Sequence, residues 1–253
     1  MQDFVIVTGA KGAIGSQITD AFVDRGVSVL ALDRKGHLDT FPVSSDSSPA
    51  TFDMKFDISN IVNSDGAEEL RALVEQFTKL DFRLVGLVNN AAVQVVKPHS
   101  DISPEEWLNV FLVNAIAPAL LVKLVTGKLR ENLGAVVNIG SVHDYVTKPG
   151  FSAYAASKGA LTAITRGIAL DEGPAFRIYN LAPGAVDTPM LRAGFNTEDG
   201  LAKLAEHQPL GRIAKAREIA DLVVGLVLDG ASLLSGSTLR VDGAIHARLH
   251  DPE

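Results

Sequence analysis

Residues 8–15 read Thr-Gly-Ala-Lys-Gly-Ala-Ile-Gly, between a β-branched apolar stretch (4–8) and a segment with helical periodicity (13–25). Glycines suit a strand-to-helix turn because a Cβ would obstruct the tight turn, the approach of a phosphate or the packing of the helix. The first N–H groups and the dipole of the helix favour an anionic diphosphate. The turn predicts a dinucleotide site, although a glycine-rich turn alone is about as often purely structural.

Outward from this turn, short apolar stretches alternate with helix-length segments along the whole chain. Stretches such as 84–88 are apolar throughout, which is typical of a parallel strand covered on both faces. The pattern predicts one α/β domain over residues 1–253, a doubly wound Rossmann fold with seven parallel strands in the order 3-2-1-4-5-6-7. Residues 35–50, rich in Ser, Asp and Pro, predict an irregular crossover. The predicted strands are 4–8, 27–32, 51–56, 84–88, 135–139, 177–181 and 238–241.

Composition limits the classes of function. The formal net charge is −7 and no Lys/Arg run occurs, so nucleic acid is not an expected partner. The absence of cysteine excludes disulfides, thiolate catalysis and Cys-ligated zinc, and no metal site is predicted. The longest apolar runs, such as 222–228, are shorter than the roughly 20 residues of a membrane span, and Met1 leads directly into a strand. We expect a cytoplasmic protein that does not enter a membrane.

Asp33 ends the second predicted strand, where a carboxylate can accept hydrogen bonds from both adenosine ribose hydroxyls and repel a 2′-phosphate. Its position predicts NAD as the cofactor and makes NADP less favoured. Two cations in the same neighbourhood, Lys11 and Arg34, argue the other way, because each can pair with a 2′-phosphate or simply be solvated. Asp33 can alternatively cap a turn.

Tyr154 and Lys158 lie four residues apart in an Ala-rich helical stretch, and this spacing places both on one helix face. A neighbouring ammonium stabilises phenolate, so we expect it to lower the pKa of Tyr154 by roughly 1–3 units and make the phenol a proton carrier at neutral pH. Such a pair alone is often a surface pair. Ser141 follows the strand at 135–139, at the sheet edge where open α/β folds bind ligands, and can also cap a turn.

Together these residues resemble the compact members of the short-chain dehydrogenase/reductase family. The resemblance covers nearly the whole chain. The matching positions, in family order and spacing, are residues 8–15, Asp33, Asp57, Ile58, residues 89–92, Asn114, Ser141, Tyr154, Lys158, Pro183, Gly184 and Thr188.

The resemblance implies four catalytic roles. Tyr154 would donate or accept the proton, and Ser141 would hold the substrate oxygen. Lys158 would bind the nicotinamide ribose and tune Tyr154, while Asn114 would anchor a water in a proton relay. The implied reaction transfers a hydride between NAD(H) and a secondary alcohol or ketone. The alternative from another class is a regulatory protein that binds NAD(H) without catalysis.

The resemblance also implies contacts with the cofactor and the substrate. Residues 187–208 would form a mobile flap over the substrate. Besides Asp33, Tyr154 and Lys158, the implied cofactor contacts are Gly9, Lys11, Gly12, Ile14, Arg34, Asp57, Ile58, Asn90, Ala91, Ala92, Pro183, Gly184, Val186 and Thr188. The expected substrate contacts are Gln94, Val142, His143 and Met190.

Three positions in the glycine-rich segments modify these expectations. Ala13 and Ala92 stand where the family usually carries glycine, and a positive φ at either alanine would cost about 1 kcal/mol and loosen cofactor binding. Gly12 stands where NADP-using relatives often carry a basic residue, which favours NAD.

A stripe of small residues follows helical spacing through Ala153, Ala156, Ala160, Ala163 and Gly167. Such a stripe lets two helices approach closely. It predicts a homo-oligomer, a tetramer or a dimer, and packing of the stripe against the sheet within one chain is the alternative.

Overall fold

A parallel sheet of seven strands forms the centre of the protein in the computed structural model, which describes residues 1–35, 48–195 and 198–248. The strand order β3-β2-β1-β4-β5-β6-β7 confirms the predicted topology. Most of the crossover predicted for 35–50 lies outside the described residues. The strands are β1 Gln2–Thr8, β2 Ser28–Asp33, β3 Thr51–Lys55, β4 Phe82–Asn89, β5 Ala135–Ile139, β6 Arg177–Pro183 and β7 Thr238–Val241.

Helices connect the strands and cover both faces of the sheet. A single π-helical turn, Leu112–Ile116, joins α3 to α4 without a break. A capping box starts α3, in which Glu106 N–H donates to Ser103 Oγ and Ser103 N–H donates to the Glu106 carboxylate. The helices are α1 Ala13–Asp24, α2 Ser64–Lys79, α3 Pro104–Phe111, α4 Ala117–Asn132, α5 Ser152–Glu172, α6 Pro189–Arg192, α7 Glu198–His207 and α8 Ala216–Leu228.

The hydrophobic core lies in two layers, one on each side of the sheet. Successive side chains of a strand point to opposite faces, so β1 contributes Phe4 and Ile6 to the layer under α2 and α4. Its Val5 and Val7 belong to the layer under α1 and α8. Burial on both faces explains why these strands are apolar without alternation.

The continuous helical segment Pro104–Asn132 is long and apolar enough, by length and composition, to cross a membrane. Half of its most apolar window is buried inside the fold, however. Leu121, Val125 and Leu129 pack in the layer against the sheet. This packing is that of a core helix. Length and composition alone are weak evidence that a helix spans a membrane.

Candidate active site

The glycine-rich turn packs tightly at the carboxyl end of β1. Gly9 has a φ of +63°, and a Cβ there would lie 2.8 Å from Ala91 Cα. A Cβ at Gly15 would collide with the Gly9 carbonyl oxygen. The Asn90 side-chain amide donates to the carbonyl oxygens of Thr8 and Gly9, both at 3.0 Å. These contacts hold the turn against the segment that follows β4.

The amino end of α1 fits a diphosphate group. The first N–H groups of a helix have no intrahelical acceptor, and the N-cap, Gly12, supplies no side chain to satisfy them. No acidic side chain stands in the first turn, so the positive end of the helix dipole is not neutralised there. The backbone strain expected at Ala13 and Ala92 does not arise, because neither alanine adopts a positive φ.

Asp33 receives two backbone hydrogen bonds at the end of β2. Lys11 N–H donates to Oδ2 at 3.0 Å, and Lys35 N–H donates to Oδ1 at 2.9 Å. The bond to Lys35 is a turn cap, yet each carboxylate oxygen retains accepting capacity. The Lys11 ammonium lies 2.6 Å from Asp53 Oδ2 on β3, a partner that the sequence pattern does not indicate. Arg34 is exposed.

Tyr154 and Ser141 meet at the carboxyl edge of the sheet. Tyr154 lies in the first turn of α5, Ser141 directly after β5, and both side chains are buried. Ser141 interacts with the phenol and lowers its pKa, and the Ser141 Oγ accepts from His143 N–H at 3.2 Å. Ser141 is therefore both a turn cap and a partner of the phenol.

Lys158 is buried beside Tyr154, with only 2% of its surface exposed. Its Nζ donates to the Ile139 carbonyl at 2.7 Å and lies 5.7 Å from the Tyr154 ring centroid. Burial lowers the pKa of Lys158 to about 8.

The expected lowering of the Tyr154 pKa is wrong for the protein without cofactor. Burial raises the pKa of the phenol, because desolvation penalises phenolate, and the interaction with Ser141 offsets this only in part. The Lys158 ammonium is directed at the Ile139 carbonyl. Tyr154 is consequently a neutral phenol at physiological pH.

Asn114 lies in the π-helical turn and ties the site together. Its Oδ1 accepts from Val93 N–H at 2.9 Å, and its Nδ2 donates to the Val93 carbonyl at 2.9 Å and to Ser157 Oγ at 3.0 Å. Ser157 Oγ in turn donates to the Tyr154 carbonyl at 2.7 Å. Ser157 is a structural member of the site that the sequence reasoning missed, although it stands between Tyr154 and Lys158 on the same predicted helix.

The remaining predicted cofactor residues follow two further strands. Asp57 caps a short 3₁₀ turn by accepting from Ser59 N–H at 2.9 Å, and Ile58 is buried beside it. After β6, Val186 is buried and forms a bridge with Ala214. Thr188 Oγ1 accepts from Leu191 N–H at 3.1 Å and caps α6. Pro183 ends β6, and a Cβ at Gly184 would make a tight contact, 3.0 Å, with Asp242 Cβ.

His143 is the predicted substrate residue that contacts Tyr154. Its ring stacks on Phe151 at 4.6 Å between centroids and meets the Tyr154 ring edge-on at 5.7 Å. Burial and the nearby Lys148 charge lower the pKa of His143 to about 4, so the imidazole is neutral at physiological pH. Phe151, which the sequence reasoning missed, carries the stack. Val142 and Gln94 are half-buried in the loops after β5 and β4, and Met190 is exposed on α6.

Comparison with known proteins identifies the family. A family model described as enoyl-(acyl carrier protein) reductase matches residues 9–246. Cyclopentanol dehydrogenase of Comamonas sp. (strain NCIMB 9872) is 33% identical over 248 residues, 96% of each chain. The chain belongs to the short-chain dehydrogenase/reductase family.

Solved structures give the same result for this short-chain dehydrogenase/reductase. Ligand-free aldohexose dehydrogenase of Thermoplasma acidophilum has a TM-score of 0.84 at 28% identity and covers 100% of this chain and 98% of that one. A 4-hydroxyisoleucine dehydrogenase in complex with NADH has a TM-score of 0.81 at 25% identity over 98% of this chain and 100% of that one. The protein is an oxidoreductase of a family that uses nicotinamide cofactors.

Proposed function

We propose that the protein is an NAD(H)-dependent dehydrogenase that interconverts a secondary alcohol and a ketone, with Tyr154 as general acid and base. The observation that carries this proposal is the meeting of three buried side chains, Ser141 after β5 and Tyr154 and Lys158 on α5, with Lys158 Nζ 5.7 Å from the Tyr154 ring centroid. The named activities of the relatives, on cyclopentanol and on aldohexose, are oxidations of a CH–OH group.

In this mechanism Ser141 and Tyr154 together hold the substrate oxygen. When bound, NAD(H) supplies the hydride or accepts it at its nicotinamide ring. In reduction, the neutral Tyr154 phenol donates its proton to the carbonyl oxygen as the hydride reaches the carbonyl carbon, which gives the alcohol. In oxidation, the Tyr154 phenol would first lose its proton to solvent, and the phenolate, stabilised by the Lys158 ammonium and the Ser141 hydroxyl, would then take the proton of the substrate hydroxyl.

We infer that NAD is preferred to NADP, since Asp33 presents a carboxylate where a 2′-phosphate would stand and Gly12 supplies no basic side chain. The amino end of α1 would hold the diphosphate, with Lys158 at the nicotinamide ribose and Val186 and Thr188 at the carboxamide. Asn114 would anchor a relay water.

The substrate would lie against His143, between the site and the segment 187–208. The neutral imidazole and the Phe151 ring beside it offer an apolar, aromatic wall. In this arrangement Val142, Gln94 and Met190 would complete the substrate surface, and segment 187–208 would act as the flap. We place the protein in the cytoplasm as a homo-oligomer.

The substitution Tyr154→Phe tests the proposal. Losing the phenol hydroxyl should lower kcat at least roughly 10²-fold while NADH still binds, because the hydroxyl moves the proton, whereas many other implied contacts hold the nucleotide. Turnover is followed by reduced-nicotinamide absorbance with NAD and a panel of cyclic alcohols, aldoses and hydroxy acids. Tyr145→Phe removes the same hydroxyl from an exposed ring and should leave kcat unchanged.

Three outcomes would contradict the proposal. Full turnover by Tyr154→Phe would remove Tyr154 as the acid and base. If wild-type protein reduced an enoyl thioester and oxidised no alcohol, the substrate would be an enoyl thioester and not a secondary alcohol or ketone. Tight NADH binding with no turnover on any substrate would favour a regulatory protein.

A further inference from the structure

Lys11 is held at two points beside the predicted adenosine site. Its backbone N–H donates to Asp33 at 3.0 Å, and its Nζ donates to Asp53 Oδ2 at 2.6 Å. Asp53 of β3 pairs in register with Ala31, two residues before Asp33 on β2. Because side chains alternate along a strand, Asp53 and Asp33 lie on the same face of the sheet. A pair of carboxylates therefore flanks the Lys11 turn.

The Asp53 carboxylate depends on Lys11 for its hydrogen bonding. Within residues 1–35, 48–195 and 198–248, the Lys11 ammonium is the one hydrogen-bond donor to this carboxylate. The second oxygen, Oδ1, is buried and has no hydrogen-bond partner there. Drawing Lys11 away would leave a partly buried carboxylate without a donor, and an unsatisfied charged group of this kind is unfavourable.

A Lys11 side chain released from Asp53 would be suited to bind NADP. An ammonium in the turn between β1 and α1, beside the ribose partner Asp33, can form a charge-assisted hydrogen bond with a 2′-phosphate. Lys11 is 40% exposed, so its side chain is not prevented by burial from turning towards such a group. What opposes that movement is the contact with Asp53.

We propose that Asp53 is a second determinant of NAD specificity, acting by holding the Lys11 ammonium away from the 2′-phosphate of NADP. This inference rests on the proposed NAD(H)-dependent function and deepens it. Asp33 repels the 2′-phosphate directly, whereas Asp53 restrains Lys11, one of the nearby cations that would attract it. The two carboxylates thus disfavour NADP in different ways, Asp33 by repulsion and Asp53 by restraining a cation.

Calorimetry at fixed ionic strength measures the affinity of the whole protein for adenosine 2′,5′-bisphosphate and for 5′-AMP. The ratio of these affinities reports the effect of a 2′-phosphate without any catalytic step. Asp53→Asn keeps the side-chain shape and releases Lys11, so the ratio of affinities should move at least about tenfold towards the bisphosphate, as expected for one hydrogen bond to a charged group. In Asp53→Asn combined with Lys11→Met the gain should disappear. Lys11→Met alone should leave the ratio of the two affinities close to that of wild type.

Asp20→Asn is the matched control, because it removes one carboxylate from the exposed surface of α1 and should leave the ratio unchanged. An unchanged ratio in folded Asp53→Asn would overturn the inference. An equal gain in the double variant would also overturn it, since the effect would then be charge removal and not release of Lys11. Wild-type protein that binds neither nucleotide would reject the proposed cofactor itself, an outcome distinct from the other two.

Discussion

At the scale of single residues, Lys158 stands out as an ammonium enclosed by protein. One carbonyl, that of Ile139, accepts from it, and burial lowers its pKa from the ordinary 10.5 to about 8. The charged form is destabilised in the fold relative to the unfolded chain. Placing this cation beside the phenol therefore reduces the stability of the protein without cofactor.

The pH dependence of stability follows from that shift. Between about pH 8 and 10.5 the unfolded chain binds more protons at Lys158 than the folded protein, so the free energy of unfolding rises with pH across this window. The total rise from this residue is on the order of 3 kcal/mol, and below the window the contribution is constant. The free energy of unfolding of wild type minus that of Lys158→Met, measured by urea denaturation, should increase with pH across the window. A difference that stays flat would contradict the shifted pKa.

At the scale of elements, the short turn after β5 is held by three of its neighbours. Asp144, 1% exposed, accepts from Arg240 Nη1 of β7 at 2.8 Å and from Thr162 Oγ1 of α5 at 2.7 Å. Thr162 Oγ1 itself accepts from Asn180 Nδ2 of β6 at 2.8 Å. Because Ser141 begins this turn, the network positions Ser141 relative to the helix that carries Tyr154.

Removing the cation from this network should affect both stability and rate. Arg240→Ala leaves the Asp144 carboxylate buried without its charge partner, which should lower the free energy of unfolding by about 3 kcal/mol. It should also lower kcat, because the Ser141 turn loses its tie to β7. Denaturant midpoints and turnover are the measurements. Arg217→Ala, which breaks exposed pairs with Asp221 and Asp24, should change neither, and equal effects of the two variants would refute the positioning role.

At the scale of the whole molecule, the small-residue stripe of α5 is divided: Ala153 is buried in the core and Ala160 is half-buried, and the other three members face outward. Ala156, Ala163 and Gly167 are exposed, whereas Tyr154 and Lys158 face the interior. Packing within one chain, the alternative considered for a monomer, accounts for Ala153 and leaves Ala156, Ala163 and Gly167 exposed. An exposed surface of small side chains suits close approach of a second α5.

Assembly can be tested by light scattering at micromolar concentration. Wild-type protein should have a mass of two or four chains of 26.8 kDa. Ala163→Glu should lower that mass, because a charged side chain prevents close helix packing at the stripe. Ala72→Glu introduces the same charge on the exposed side of α2 and serves as the control. A monomeric wild type would reject the oligomer.

Most of the fold was predictable because its signals are local. The alternation of apolar and helical segments indicated all seven strands, with β4 starting two residues earlier than expected, at Phe82, and β6 continuing to Pro183. The spacing of Tyr154 and Lys158 likewise placed both on one helix. The predicted lowering of the Tyr154 pKa was wrong because the pKa depends on how much water the surrounding fold removes. The spacing of residues along the chain does not report this.

The sequence by itself determined the sheet, its helical cover and the glycine turn at Gly9, since hydrophobic periodicity and the positive φ of a glycine are local properties of the chain. Only the tertiary structure decided which charges meet. Lys11 and Asp53 are 42 positions apart and Asp144 and Arg240 are 96 apart. The strength of an ion pair depends on distance and burial in the folded molecule, and neither can be read from positions along the chain.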